Sequence, residues 1–316
     1  MKPLVTVVCL SYNHQGFLAE ALDSVLGQTY SNIEVIVVDD ASTDDSREVI
    51  AHYVKQNPSI KLIPNGQNLG NCRSFNKALD IASGEYIIDF ATDDVMHPER
   101  VEKQVAAFER LSDDYAAVFT NAAYIDEHAG FLKYHYRAEQ YPSVPCGDIY
   151  KSILSNNGII CTPTLMFRTH VVRALGGYDE RLSYEDFDIC LRVARKYKFY
   201  FLKQVLTEWR IVAGSHSKTA LHAKNISTFR VCMKAFWLNK TPKEHKALAK
   251  FIKYNLRYCV FINDHMYALK YWSLLKCLDR SVFWYAPLFV IAKLKINIFP
   301  LYRLYVKLKY GYEISR

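Results

Sequence analysis

The chain predicts an α/β fold, a largely parallel, doubly wound sheet flanked by helices, and three observations lead there. Short branched apolar runs alternate with helical patterns over the first 120 residues. These runs end in polar residues on a consistent side. Beyond Arg230 the pattern changes to helical stretches rich in Lys and Arg, which predicts a separate basic appendage.

Strands are expected over Leu4–Leu10, Ile33–Asp39, Lys61–Pro64, Tyr86–Phe90 and Ala116–Thr120, each a short run of branched or aromatic residues. Leu18, Ala21, Leu22, Val25 and Leu26 repeat at helical spacing between the first two, as do Cys72, Phe75, Leu79 and Ala82, and later Val101, Val105 and Phe108. Pro98 suits the first turn of that last helix. Strand and helix in alternation favour a parallel sheet with helices on both faces. Ligands bind such sheets beyond the carboxyl ends of the strands. Those ends carry Ser11-Tyr12-Asn13, Asp39-Asp40, Asn68-Leu69-Gly70 and Thr92-Asp93-Asp94. Each has an ordinary loop or turn reading, yet all four fall on one edge.

After Asn121 a Tyr-rich connection leads to Thr162-Pro163-Thr164 and Gly176-Gly177-Tyr178-Asp179. A second acidic group, Tyr184-Glu185-Asp186-Phe187-Asp188, opens a helix in which Phe187, Leu191 and Ala194 repeat. Acids in a first helical turn are favoured by the macrodipole, so capping and general-base roles both fit. Two parts are expected: residues 1–229, with halves of about 1–120 and 121–229, and a helical region over 230–316. Thr241-Pro242-Lys243-Glu244 reads as a capping box within the latter.

Charge separates the same parts. From Arg230 onward 17 Lys and Arg stand against 4 acids, a balance of +13 that leaves −5 for residues 1–229 out of the overall +8. Between Ser281 and Lys309, Phe283, Trp284, Tyr285, Leu288 and Phe289 mix with Lys293, Lys295, Arg303, Lys307 and Lys309. The uncharged run is too short to span a bilayer. An interfacial segment at an anionic membrane and a helical appendage with a solvated basic face both fit. Nucleic acid is not expected, since no binding motif accompanies the basic residues. The eight cysteines are scattered without a CxxC pair, and Met1-Lys2-Pro3 enters a strand without a signal-peptide pattern, so a cytoplasmic protein with reduced thiols is expected.

The chain has neither GxGxxG nor GxxxxGK[S/T], the usual glycine devices for phosphate. A divalent cation held by Asp93 and Asp94 at a strand end is the remaining common solution. The competing reading has the pair capping the helix that follows.

Val7-Val8-Cys9-Leu10-Ser11-Tyr12-Asn13, Ala21-Leu22-Asp23-Ser24-Val25 and Val37-Val38-Asp39-Asp40-Ala41-Ser42 resemble family 2 glycosyltransferases with the GT-A fold, a Rossmann-like, mostly parallel sheet. Asn68-Leu69-Gly70, Gly84-Glu85-Tyr86, Thr92-Asp93-Asp94, Gly176-Gly177-Tyr178-Asp179 and Glu185-Asp186 follow in the family's order. The resemblance covers about residues 3–215 and is of the bacterial surface-polysaccharide type. It implies inverting transfer of a sugar from a nucleotide donor, usually a UDP-sugar, to a glycan or lipid-linked acceptor, at the inner face of the cell membrane. By this resemblance Ser11, Asn13, Asp39, Gly70, Arg73 and Asp93 border the nucleotide sugar, and Asp94 ligates Mn²⁺ or Mg²⁺, with Asp93 in its shell. Asp186 is then the catalytic base, with Glu185 and Thr162 on the acceptor side.

Two positions depart from the family pattern. Ala91 stands where a first aspartate is common, and Val212 where a histidine is common, with His216 as a substitute ligand. A sugar nucleotidyltransferase and an inactive sugar-nucleotide-binding or scaffold protein are the alternatives. The former wants a glycine-rich basic loop, which Tyr12-Asn13-His14-Gln15-Gly16 does not resemble.

Overall fold

The computed structural model describes residues 2–156, 159–212 and 221–310. The chain forms two compact units, residues 1–153 with 158–216, and residues 217–316 with 154–157.

The first unit begins with β1 (Val5–Ser11), α1 (Leu18–Leu26), β2 (Ile33–Asp39), α2 (Ser46–Gln56), β3 (Lys61–Pro64), α3 (Asn71–Ile81) and β4 (Tyr86–Ala91). It continues through β5 (Val95–Met96), α4 (Arg100–Phe108), β6 (Tyr115–Ile125), β7 (Phe131–Tyr134), α5 (Tyr150–Ser155), β8 (Met166–Arg168), α6 (Thr169–Ala174), α7 (Asp186–Ala194) and β9 (Lys198–Arg210). Among the described residues these strands form one sheet in the order β3-β2-β1-β4-β8-β6-β9-β5, with β7 beside β6.

β1 lies between β2 and β4, parallel to both, and every residue of it is buried. A strand covered on both faces needs an unbroken apolar run, which Val5 to Leu10 nearly supplies. The register pairs Ser11 with Asp39 and Leu10 with Ala91, so the ends of β1, β2 and β4 arrive together. Beneath them Val7, Cys9, Leu22, Val37, Ile88 and Phe90 join one buried cluster.

The parallel sheet stops at β4. β8 runs antiparallel to both β4 and β6, while β6 and β9 are parallel to each other. Three residues of β8 are too few to display a period, so the sequence pattern passes over it. β9 ends at Arg210, and the two-residue β5 pairs with it at Thr207 and Glu208. Asp93 and Asp94 therefore occupy the turn between β4 and β5, beside the end of β9.

The second unit contains α8 (Leu221–Leu238), α9 (Pro242–Phe261), α10 (His265–Leu278), α11 (Ala286–Lys293) and α12 (Phe299–Tyr310). Its first helix opens upstream of Arg230, where the composition changes. Thr241 Oγ1 accepts from the Glu244 N–H at 3.3 Å, and the Glu244 carboxylate accepts from the Thr241 N–H at 3.1 Å, the expected capping box. Leu248, Ile252, Leu256, Cys259, Ala268 and Leu275 form its buried interior. No helix of the described residues is long and apolar enough to cross a membrane. All eight cysteines are free.

Candidate active site

The Asp93-Asp94 pair does not cap a helix. α4 opens at Arg100, its cap residue is Glu99, and no side chain caps it. Asp94 is 3 % exposed, and its Oδ1 accepts the backbone N–H of Arg210 at 2.8 Å. The Arg210 guanidinium continues the clasp. Nε donates to the Asp93 carbonyl at 2.8 Å, Nη1 to the Asp126 carbonyl at 3.1 Å and Nη2 to Glu20 Oε2 at 2.6 Å. It also stands 4.8 Å from the centre of the Phe17 ring. Burial, then the charge of Asp93, pushes the Asp94 carboxyl well above the usual range, against the Arg210 N–H and the charges of Arg100 and Arg210. A fully buried guanidinium, Arg100, is itself pushed down to about 10 by burial.

The residues expected around a nucleotide divide into two groups. Ser11 ends β1 with a buried Oγ that has no hydrogen-bond partner among the described residues. Asp39 is buried, and its Oδ2 accepts from Arg47 Nε at 2.9 Å. These two lie next to each other in register at the sheet edge. Asn13, at φ 56°, spends its side chain on the neighbouring loop, accepting from the Thr43 N–H at 2.8 Å. Arg73 is exposed on α3, with Nε 3.5 Å from Glu180.

Gly70 precedes α3 at φ 82°, a left-handed conformation that a side chain would strain. Its position is set by Asp40, whose carboxylate accepts the N–H groups of both Leu69 and Gly70 at 2.8 Å and Asn65 Nδ2 at 2.9 Å. Asp40 thus joins the ends of β2 and β3 to the start of α3, a tertiary role beyond the turn reading.

A second acidic group gathers where α7 begins. Glu185 is the cap residue of α7 but makes no side-chain cap; Asn71 Nδ2 donates to its Oε2 at 2.7 Å instead. Asp186 is the first residue of the helix. Asp89, inside β4, accepts the Tyr178 hydroxyl at 3.0 Å. Desolvation pushes the Asp89 carboxyl up to about 7, with the Asp186 charge adding and the Tyr178 hydrogen bond opposing. Desolvation, then the charges of Asp186 and Asp89, raises Glu185 well above its ordinary value. The three carboxyls therefore share one electrostatic environment.

Tyr178 is held firmly. Its ring stacks on Phe75 at 4.1 Å, and Asn76 brackets its backbone, Oδ1 accepting from the N–H at 2.8 Å and Nδ2 donating to the carbonyl at 2.9 Å. The preceding Gly177 is at φ 70°, and a Cβ there would lie 2.5 Å from Asn76 Oδ1. Arg192 fastens the same turn by donating to the Leu175 and Gly177 carbonyls at 2.9 and 2.8 Å.

The acid groups are distinct but neighbouring: the buried Cys161 thiol, raised by desolvation, also feels the charges of Asp94 and Asp186. Thr162 follows Cys161 and opens a short 3₁₀ turn. His216 lies outside the described residues. Asp89, which shares the electrostatic environment of Asp186 and Glu185, is not among the residues the sequence motifs single out. A charged residue inside the apolar run Tyr86–Phe90 is the signal in the sequence that points to it.

Among the described residues no cluster of three or more His, Cys, Asp or Glu side chains is ready-made for a metal ion. The donor chemistry nonetheless fits a hard cation. A buried carboxyl beside a second carboxylate is relieved by positive charge, and such ions are commonly held by one or two carboxylates plus substrate phosphates. Asp94 and Asp93 would hold it.

A doubly wound α/β unit with separate carboxylate groups beyond its strand ends is the architecture of GT-A enzymes, which transfer sugars. Residues 6–176 match the family described as Glycosyl transferase family 2, and the chain belongs to that family. An uncharacterized glycosyltransferase of Methanocaldococcus jannaschii is 30 % identical over 243 residues, 76 % of this chain and 81 % of that one. S. aureus TarS 1–349, solved with UDP-GlcNAc, shares the fold at TM-score 0.71 and 17 % identity, covering 99 % of this chain and 93 % of that one. The mannosyltransferase PcManGT of Pyrobaculum calidifontis, solved with GDP-Man and Mn²⁺, follows at TM-score 0.54 and 19 % identity, covering 99 % and 89 %. The chain is accordingly a glycosyltransferase, and family membership leaves the nucleotidyltransferase and scaffold readings without support.

Proposed function

We propose that the protein is an inverting, metal-assisted glycosyltransferase that moves a sugar from a UDP-sugar to a hydroxyl of a glycan or lipid-linked acceptor. The observation that carries this reading is the division of its acids: Asp93 and Asp94, clasped by Arg210, and Asp186, beside Asp89 and Glu185. Direct displacement needs this separation, because proton removal and leaving-group neutralisation occur on opposite sides of the anomeric carbon. The nucleotide complexes of the two structural neighbours favour a sugar-nucleotide donor.

Ser11 and Asp39 border the base and ribose at the sheet edge, with Asn13 and Gly70 shaping the adjoining loops. Arg73 lies further out on α3. The Asp186 carboxylate takes the acceptor hydroxyl proton as the oxygen forms its bond to the anomeric carbon. The bond from that carbon to the diphosphate breaks, and its electron pair leaves with UDP. Glu185 and Thr162 flank the acceptor. When bound by Asp94 and Asp93, Mn²⁺ or Mg²⁺ supplies positive charge that neutralises the departing diphosphate.

The second unit fits an anionic membrane surface. Phe283, Trp284, Leu301 and Leu308 are 74, 87, 69 and 79 % exposed, and no acidic residue occurs between Arg280 and Tyr310. Exposed apolar side chains beside Lys293, Lys295, Arg303 and Lys307 match a peripheral mode of binding at the inner face of the membrane.

A donor screen that measures UDP release with Mn²⁺ across common UDP-sugars tests the activity. Turnover of one donor is expected; turnover of none, with GDP-sugars active instead, would overturn the UDP assignment.

A further inference from the structure

His14 lies in the loop between β1 and α1, and two contacts fix its imidazole. Nδ1 is 2.9 Å from Thr92 Oγ1, and Nε2 is 4.0 Å from Asp93 Oδ2. Thr92 is fully buried, and its hydroxyl donates to the Leu10 carbonyl at 3.0 Å. A hydroxyl has one proton to give, and with that proton on the Leu10 carbonyl the Thr92 oxygen accepts from His14. In that arrangement Nδ1 carries a proton. In the neutral imidazole Nε2 then keeps its lone pair, on the nitrogen nearest the Asp93 carboxylate. Two acceptors held this close repel each other unless positive charge stands with them. The imidazole and Asp93 side chains are each 23 % exposed, so an ion from solvent can reach both.

We infer that His14 contributes Nε2 to the divalent-cation site begun by Asp93 and Asp94, with Thr92 acting as a positioning residue that holds the imidazole in the liganding tautomer. The inference rests on the metal-assisted reading above and names a ligand for it. Ligating histidines characteristically give their other N–H to a fixed acceptor, which is what Nδ1 does here. The loop does not depend on the imidazole for its shape. The His14 N–H donates to Ser46 Oγ at 3.1 Å, and the His14 carbonyl accepts from the N–H groups of Phe17 and Leu18 at 2.9 Å. An imidazole in place of an oxygen ligand also disfavours Mg²⁺, which is suited to oxygen donors.

The test is direct Mn²⁺ binding to the full chain in the presence of UDP, followed by calorimetry and by the Mn²⁺ paramagnetic resonance signal. His14→Gln is expected to weaken Mn²⁺ binding at least about tenfold, the lower end for disturbing a metal-ligand shell. Thr92→Val, which removes the acceptor for Nδ1, should weaken it by a smaller factor. Resonance should also show nitrogen coupling to Mn²⁺ in the wild type that His14→Gln loses. Unchanged or tighter Mn²⁺ binding by His14→Gln, with wild-type binding intact, overturns the His14 assignment alone and leaves an imidazolium–Asp93 ion pair as its role. Absence of Mn²⁺ binding in the wild type overturns both this assignment and the metal-assisted reading.

Discussion

The hydroxyl of Tyr178 donates to Asp89 across 3.0 Å, tying the turn before α7 to the interior of β4. Through this bond the strand that leads into the Asp93-Asp94 turn also supports the helix that begins at Asp186. Asp89 thus titrates in a place where its charge is costly. Its folded value of about 7 lies above the usual carboxylate value of about 4, so the folded state favours the protonated form. Stability contributed this way is present in full below about pH 4 and is lost as pH rises through about 7. Asp89→Asn should therefore gain melting temperature relative to wild type as pH rises from acid to pH 8. A difference that stays constant across that range would contradict the assignment.

Asp186→Asn should lower transfer by about 10² to 10⁴, the usual contribution of a general base, while leaving UDP affinity unchanged. Parallel measurement of UDP binding and single-turnover transfer separates the two effects. Retained transfer removes Asp186 as the base, and lost UDP binding places it on the donor side.

Asp40→Ala deletes the acceptor for the Leu69 and Gly70 N–H groups and for Asn65. Leaving buried donors unsatisfied costs about 1–3 kcal/mol each where water cannot replace the partner, so a loss of at least about 2 kcal/mol is expected. Urea denaturation reads this directly. Hydrogen exchange should show the increase concentrated at the start of α3.

Gly177→Ala places a Cβ against Asn76 Oδ1 at positive φ. Strain of this kind costs about 1–3 kcal/mol. Since Asn76 holds Tyr178, activity should fall together with stability, and the pair Gly177→Ala and Asn76→Ala should be less than additive in thermal melts.

Trp284→Ser together with Lys293→Glu and Lys295→Glu should abolish sedimentation with phosphatidylserine-rich vesicles. Each basic residue near such a surface contributes about 1 kcal/mol, and the charge-dependent part weakens with salt. Trp284 is 87 % exposed, so the melting temperature should not change. Equal sedimentation of variant and wild type would exclude this segment as the anchor.

Local pattern was enough for the first four strands. Val5–Ser11, Ile33–Asp39, Lys61–Pro64 and Tyr86–Ala91 lie within a residue of their expected positions; the three buried parallel strands must be near-continuous apolar runs, and Lys61–Pro64 is a short edge strand beside them. The capping box at Thr241 was likewise legible, since its chemistry is contained in four consecutive residues. By itself the sequence determined the fold class, the family and the presence of two acidic groups. The tertiary structure decided what those acids meet. Arg210 lies 116 residues beyond Asp94, and Tyr178 lies 89 beyond Asp89, yet each pair is within hydrogen-bond distance. His14 Nδ1 and Thr92 Oγ1, 78 residues apart in sequence, come within 2.9 Å. Burial, shared charge and proton placement are properties of groups brought together by the sheet's register, and no local pattern contains them.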